Sequence, residues 1–193
     1  MARAIDGSAP RARPDGGWLG RGREDTLSEP RRRTRVAAAI YAPGETDPMP
    51  YVSSNYATNP EAPEGDWVCT RTSSLGPFAD HPAANQRHNP DFCGQCVSYV
   101  TTVCPDIPVN TVRWSQGKQV KGDNTIAEGT AIATFDANGQ YVGHAAIYVK
   151  QDAVGIHVYD QWITGAGKAV GARLIRWNGS GVSNHGDGFY VVE

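Results

Sequence analysis

Four cysteines stand in this chain, and two of them, Cys93 and Cys96, share one short run, DFCGQCVSYV. Three chemistries use cysteines so spaced: dithiol redox exchange, zinc binding and nucleophilic catalysis. A redox pair belongs at a helix N-terminus, which fits, but it also follows a buried strand in a βαβ framework. Here the lead-in is HPAANQRHNPDF, polar and full of turn residues. Structural zinc sites take two closely spaced pairs, whereas this chain offers one pair and two single residues, Cys69 and Cys104. The remaining reading makes Cys96 a nucleophile at the start of a helix. The helix N-terminus would favour its thiolate, and an imidazole would take its proton. Such a thiol needs a histidine on a rigid element and a group that orients the ring.

Five histidines are available. His81, His88 and His185 fall in polar or glycine-rich stretches and read as solvated loop residues. His144 and His157 fall in runs with strand character. In GHAAIYV, His144, Ala146 and Tyr148 share one face, and Ala145, Ile147 and Val149 form a plain core stripe on the other. The alanine at 146 leaves room beside the His144 ring. The next run, GIHVYDQW, places Asp160 on one face and Gln161 on the opposite one. If the two runs form a hairpin, an even pairing register puts Asp160 opposite or diagonal to His144. An odd register presents Gln161 instead. Either could orient an imidazole; a carboxylate also stabilises the imidazolium that forms, which favours Asp160.

The elements that must hold these groups follow from the local patterns. NPDFCGQCVSYVTTVCP has turn residues in front, apolar positions at helical spacing and a proline stop, so a helix should begin at the cysteines. TVRWSQGKQVKG reads as a short helix ending near Gly117, and Trp67 to Arg71 as a short strand. Then the period changes to two. GTAIATFD, GHAAIYVKQ, GIHVYDQW, ARLIRW and GFYVVE are short β-rich runs joined by brief Gly, Asn and Asp turns. The expected class is α+β: a cysteine-bearing helix followed by an antiparallel meander of about five strands.

Composition narrows the function classes. The chain is 39% hydrophobic with 22 glycines and 13 prolines, a content that suits turns and short strands. Residues 1–35 carry nine arginines against five acids, yet the whole chain has a net charge of -2, so the remainder is acidic and ill suited to gripping nucleic acid. Residues 1–48 lack periodicity and read as a disordered, arginine-rich arm, with the folded domain over residues 49–193. The chain shows neither a membrane span nor a recognisable signal peptide.

With the residues in view, CGQCVSYV, then GHAAIYV, then VYDQW resemble the CHAP amidase family and its NlpC-type relatives of the papain-like clan. In that family Gly-Gln-Cys opens the catalytic helix, Gly-His opens a sheet strand, and an acidic or amide residue on the next strand completes the triad. Cys96, His144 and Asp160 match in that order. The longer phrase VKGDNTIAEGTAIATFDANGQYVGHAAIYV is similar to a bacterial group in the clan that includes amidase effectors of type VI secretion. Cys93 before Gly-Gln-Cys and Trp162 after Asp160-Gln161 depart from the family pattern.

The resemblance implies a papain-like fold and hydrolysis of amide bonds in bacterial peptidoglycan through a thioester, with no metal or organic cofactor. The stem peptide is the implied substrate, the chain is expected to act as a monomer, and an immunity protein is the implied partner. The expected destination is the periplasm or cell wall. Same-fold alternatives are deamidation or acyl transfer on a protein, or a non-catalytic wall-binding module.

The oxyanion donors expected are the Cys96 backbone N–H and, second, the Gln95 side chain. Trp114, Tyr141 and Trp162 are expected to line a substrate groove. Cys93 and Cys104 flank a helix of roughly 13 Å, too far apart to bond. Any disulfide should therefore use Cys69, with Cys104 or Cys93 as the other half; buried free thiols are the alternative.

Overall fold

The computed structural model describes residues 49–193, so the arginine-rich arm expected over residues 1–48 lies outside the described part. Eight strands and one α-helix are found there: β1 (Trp67–Val68), β2 (Phe78–Ala79), α1 (Cys96–Val103), β3 (Gln116–Gln119), β4 (Ala131–Phe135), β5 (Tyr141–Gln151), β6 (Gly155–Trp162), β7 (Lys168–Arg176) and β8 (Phe189–Val192). β1 and β2 pair with each other; the other six form one sheet in the order β3-β8-β4-β5-β6-β7. Every pairing is antiparallel. The class is α+β, as the separation of the helical and alternating patterns requires.

The main sheet has six strands rather than about five. The extra one is β3, in the stretch read as a short helix. That stretch holds only a 3-10 turn at Thr111–Arg113, capped by the Asn110 side chain on the Val112 N–H at 3.1 Å. β3 has the sequence QGKQ and is largely exposed. As an edge strand paired to β8 alone, it carries no alternating apolar face by which to recognise it. The expected strand at Trp67 to Arg71 is present but short, at Trp67–Val68.

α1 begins at Cys96 and is buried almost all round. Tyr99, Val100 and Val103 pack with Ala131, Ala133, Ala145 and Ile147 in one core. Small side chains on the sheet let the helix approach closely, and each buried valine- or isoleucine-sized group contributes about 1.5–3 kcal/mol. The polar residues of α1 are mostly paired internally: Ser98 Oγ donates to the Phe92 carbonyl at 2.8 Å and Thr101 Oγ1 to that of Val97 at 2.9 Å. Ala146 and Tyr148 of β5 are also buried, in a second core with Ile156, Val158, Ile175 and Phe189. Both faces of β5 are therefore core stripes, where the alternation alone suggested one.

Candidate active site

Four local devices fix the position of Cys96. Gly94 turns the chain at φ 77°, and an added Cβ there would meet Ile163 Cβ at 2.7 Å and the Trp67 ring at 2.9 Å; only glycine fits this entry to α1. The Gly94 N–H donates to the Val68 carbonyl at 2.8 Å. Cys93 is disulfide-bonded to Cys69, one of the two pairings left open by the sequence. Finally, the fully buried Gln161 side chain donates from Nε2 to the carbonyls of Val68 (3.0 Å) and Gln95 (2.8 Å) and accepts the Val68 N–H at 2.9 Å. Gln161 thus holds the backbone before Cys96 rather than the imidazole.

His144 is set with similar economy. Gly143, at φ 91°, lies where a Cβ would run into Val182. The Thr134 hydroxyl accepts the His144 N–H at 3.0 Å and donates to the Val142 carbonyl. The β5–β6 register is even next to the site, with Ile147 opposite Tyr159 and Tyr148 opposite Val158. This leaves Asp160 one diagonal step from His144, and its Oδ2 accepts from His144 Nε2 at 2.8 Å. The other ring nitrogen is left for the Cys96 thiol, and each of the two groups shifts the other's proton affinity. His144 is 2% exposed and Asp160 0%.

The charges in this buried chain are strongly linked. Burial opposes a Cys96 thiolate, but the His144 hydrogen bond and charge, then the Tyr141 hydroxyl and the Ala145 backbone, together bring the thiol below its ordinary value. Burial likewise works against a His144 cation; hydrogen bonds to Asp160 and Cys96 outweigh it and raise the imidazole to about 9. The arrangement favours a thiolate–imidazolium pair. Cys104, by contrast, is buried with Asp106 nearby and is pushed up to about 12; it is an inert core thiol.

A cavity of about 600 Å³ opens on Cys96, with Gln95, Phe92, Val109, Thr111 and Tyr141 among its walls. The Tyr141 hydroxyl is 3.5 Å from Cys96 Sγ. Gln95 Nε2 donates to the Arg87 carbonyl at 2.9 Å and keeps a second amide hydrogen. Trp114 and Trp162 are placed elsewhere. Trp114 is 2% exposed, donates from its indole to the Pro108 carbonyl at 2.7 Å and backs Tyr141 edge-on at 5.1 Å. It supports the wall without forming it. Trp162 lies beneath the Arg173 guanidinium, 4.6 Å from its ring centre.

Arg173 itself is a residue the sequence pattern did not single out. Its Nε and one terminal nitrogen reach Asp160 Oδ2 at 2.8 and 2.5 Å. Among the described residues no cluster of His, Cys, Asp or Glu could hold a metal ion, and no helix is long and apolar enough to cross a membrane.

Comparison with known proteins follows the same stretch of chain. A family model, Domesticated amidase effector 2, matches residues 53–192. The domesticated amidase effector 2 of Ixodes scapularis is 42% identical over 103 residues, covering 51% of this chain and 70% of that protein. A type VI secretion amidase effector 2 protein of Salmonella typhi is 40% identical over 96 residues, 42% of this chain and 71% of its own. The solved structure of a type 6 secretion amidase effector 2 shares 36% identity, covers 51% of this chain and 80% of the other, and has a TM-score of 0.45.

Proposed function

The chain belongs to the Domesticated amidase effector 2 family, and from that premise we propose that it is a peptidoglycan amidase acting through Cys96, His144 and Asp160. The single observation that carries the assignment of residues is the buried chain of contacts from the Cys96 thiol through the His144 ring to Asp160, ending at an open cavity. A nucleophile at the first turn of a buried helix, with its base and orienting carboxylate on neighbouring antiparallel strands, also supports a papain-like architecture.

The steps follow from the geometry. A stem-peptide amide enters the cavity, and the Cys96 thiolate attacks its carbonyl carbon. The Cys96 N–H, at the first helical position and without an intrahelical acceptor, is the first donor for the developing oxyanion; the spare Gln95 amide hydrogen is the second. The His144 imidazolium gives its proton to the leaving amine, and the C–N bond breaks to leave a thioester. Neutral His144 then takes a proton from water, the hydroxide adds to the thioester, and Cys96 leaves as thiolate. Asp160 holds the ring orientation and balances its charge throughout.

The Cys69–Cys93 disulfide supports action in an oxidising compartment. Delivery to a target periplasm with an immunity protein as partner is the corresponding proposal for this chain, in keeping with the type VI secretion relative. The test is incubation of wild-type and Cys96→Ala protein with peptidoglycan sacculi, with mass spectrometry of the soluble fragments. New amine and carboxyl termini in stem peptides, made by wild type only, support the reading. An unchanged sacculus with both proteins overturns it and turns attention to deamidation or acyl transfer on a protein.

A further inference from the structure

The buried carboxylate beside His144 has a second charged partner. Arg173 on β7 pairs with Val158, one diagonal step from Asp160. Its side chain is 12% exposed and Asp160's is 0%. All the nitrogens of the guanidinium are engaged. Nε and one terminal nitrogen take Asp160 Oδ2; that terminal nitrogen also donates to the Ser183 carbonyl at 3.1 Å, and the other terminal nitrogen donates to Asn184 Oδ1 at 2.7 Å. Trp162 underlies the plane. The terminal nitrogen that meets Asp160 and Ser183 also lies 3.1 Å from His144 Nε2. With Nε2–H donated to Asp160, that approach is not a hydrogen bond but a fixed positive charge against the ring.

We propose that Arg173 is a positioning residue of the amidase reaction: its guanidinium locks Asp160 against His144 and sets the pH window in which the Cys96 thiolate and His144 imidazolium coexist. This rests on Cys96 and His144 being a reacting pair. Around the Cys96–His144 pair, Tyr141 faces the thiol, while Asp160 from β6, Arg173 from β7 and the uncharged Phe189 ring from β8 face the imidazole. Asp160 favours protons on the pair, and Arg173 disfavours them. A fork with three separate acceptors also fixes the carboxylate in a way a flexible ammonium does not. Through Ser183 and Asn184 it ties down the turn at Val182–Asn184, whose Val182 packs against Gly143.

The test reads Cys96 directly, by its rate of alkylation with iodoacetamide from about pH 4 to about pH 10. Cys69 and Cys93 are bonded to each other, and of the two free thiols Cys96 lines the open cavity while Cys104 does not and is pushed up to about 12, so the signal belongs to Cys96. Arg173→Met should move both limbs of the profile to higher pH by about one unit, and Asp160→Asn should move both to lower pH. Arg173→Lys should restore the limbs while kcat on peptidoglycan stays about tenfold down with KM unchanged. Limbs of Arg173→Met that coincide with wild type overturn the proposal. If Arg173→Met fails to fold, Arg173→Lys decides alone, and a wild-type kcat there overturns it. Failure of wild type to cut peptidoglycan would refute the amidase reading yet leave the alkylation profile readable.

Discussion

His144 Nε2 and Asp160 Oδ2 lie 2.8 Å apart where solvent barely reaches either. At that depth the carboxylate fixes which ring nitrogen carries the proton and so which one faces Cys96. Asp160→Asn keeps the shape but can present its amide hydrogens to the ring, favouring the wrong tautomer. A fall in kcat of about a hundredfold or more is expected. It also leaves Arg173 without its counter-charge, at a cost of about 3 kcal/mol in urea unfolding. An Asn variant with wild-type turnover would remove Asp160 from the mechanism.

The pH dependence of stability is set by two opposed shifts. His144 is raised from 6.5 to about 9, so its contribution is present below pH 6.5 and is lost as pH climbs towards about 9. Cys96 is lowered from 9.0, so its contribution is full above pH 9 and is lost as pH falls through its folded value. Between these limits the folded pair and the unfolded pair each hold one proton, and the two slopes offset. Wild-type unfolding free energy should therefore be nearly flat from about pH 7 to about pH 9. A wild-type profile that slopes steadily across this range, measured by denaturant titration, would contradict the ion pair.

The Cys69–Cys93 bond closes a loop with a sequence separation of 24, worth about 3–4 kcal/mol by restriction of the unfolded chain. The double variant Cys69→Ser/Cys93→Ser should lose roughly that amount of stability. Gly94 and Gln161 still fasten the approach to Cys96, so kcat measured well below the melting temperature should fall only severalfold. A loss of activity as complete as in Cys96→Ala would mean that the bond takes part in the chemistry.

How much of this site was legible depended on the range of the interaction. The helix start at Cys96 and the strand bearing His144 are local patterns, and a hairpin with few register options brings in Asp160. Arg173 is different. In ARLIRW it reads as a solvent-facing strand residue, and only the β6–β7 register, with Gly171 opposite Asp160, shows that it reaches inward. A basic residue in an apolar strand beside the acidic one was the available signal. β3 escaped because an exposed edge strand leaves no apolar stripe, and Trp114 because an isolated aromatic residue does not reveal which of its faces is covered. Gln161 reads in the sequence as the alternative to Asp160 for orienting the ring; its actual partners, Val68 and Gln95, lie far away in sequence.

That distance makes Gln161 a sharp test of how the nucleophile is held. Gln161→Leu leaves the buried Val68 N–H without its partner, while the Val68 and Gln95 carbonyls keep the Gly94 and Ser98 N–H donors, at a cost of about 1–3 kcal/mol. Gln151 offers a matched control. Its amide also makes three bonds, to Val120 O (2.9 Å), Asp123 O (2.8 Å) and Gly122 N (2.9 Å), but none of them lies on the approach to Cys96. If the Gln95 contact positions Cys96, Gln161→Leu should lower kcat about tenfold or more at a temperature where both variants are folded, while Gln151→Leu keeps the wild-type value. Equal losses of kcat would mean that general stability, and not the placement of the sulfur, accounts for the effect.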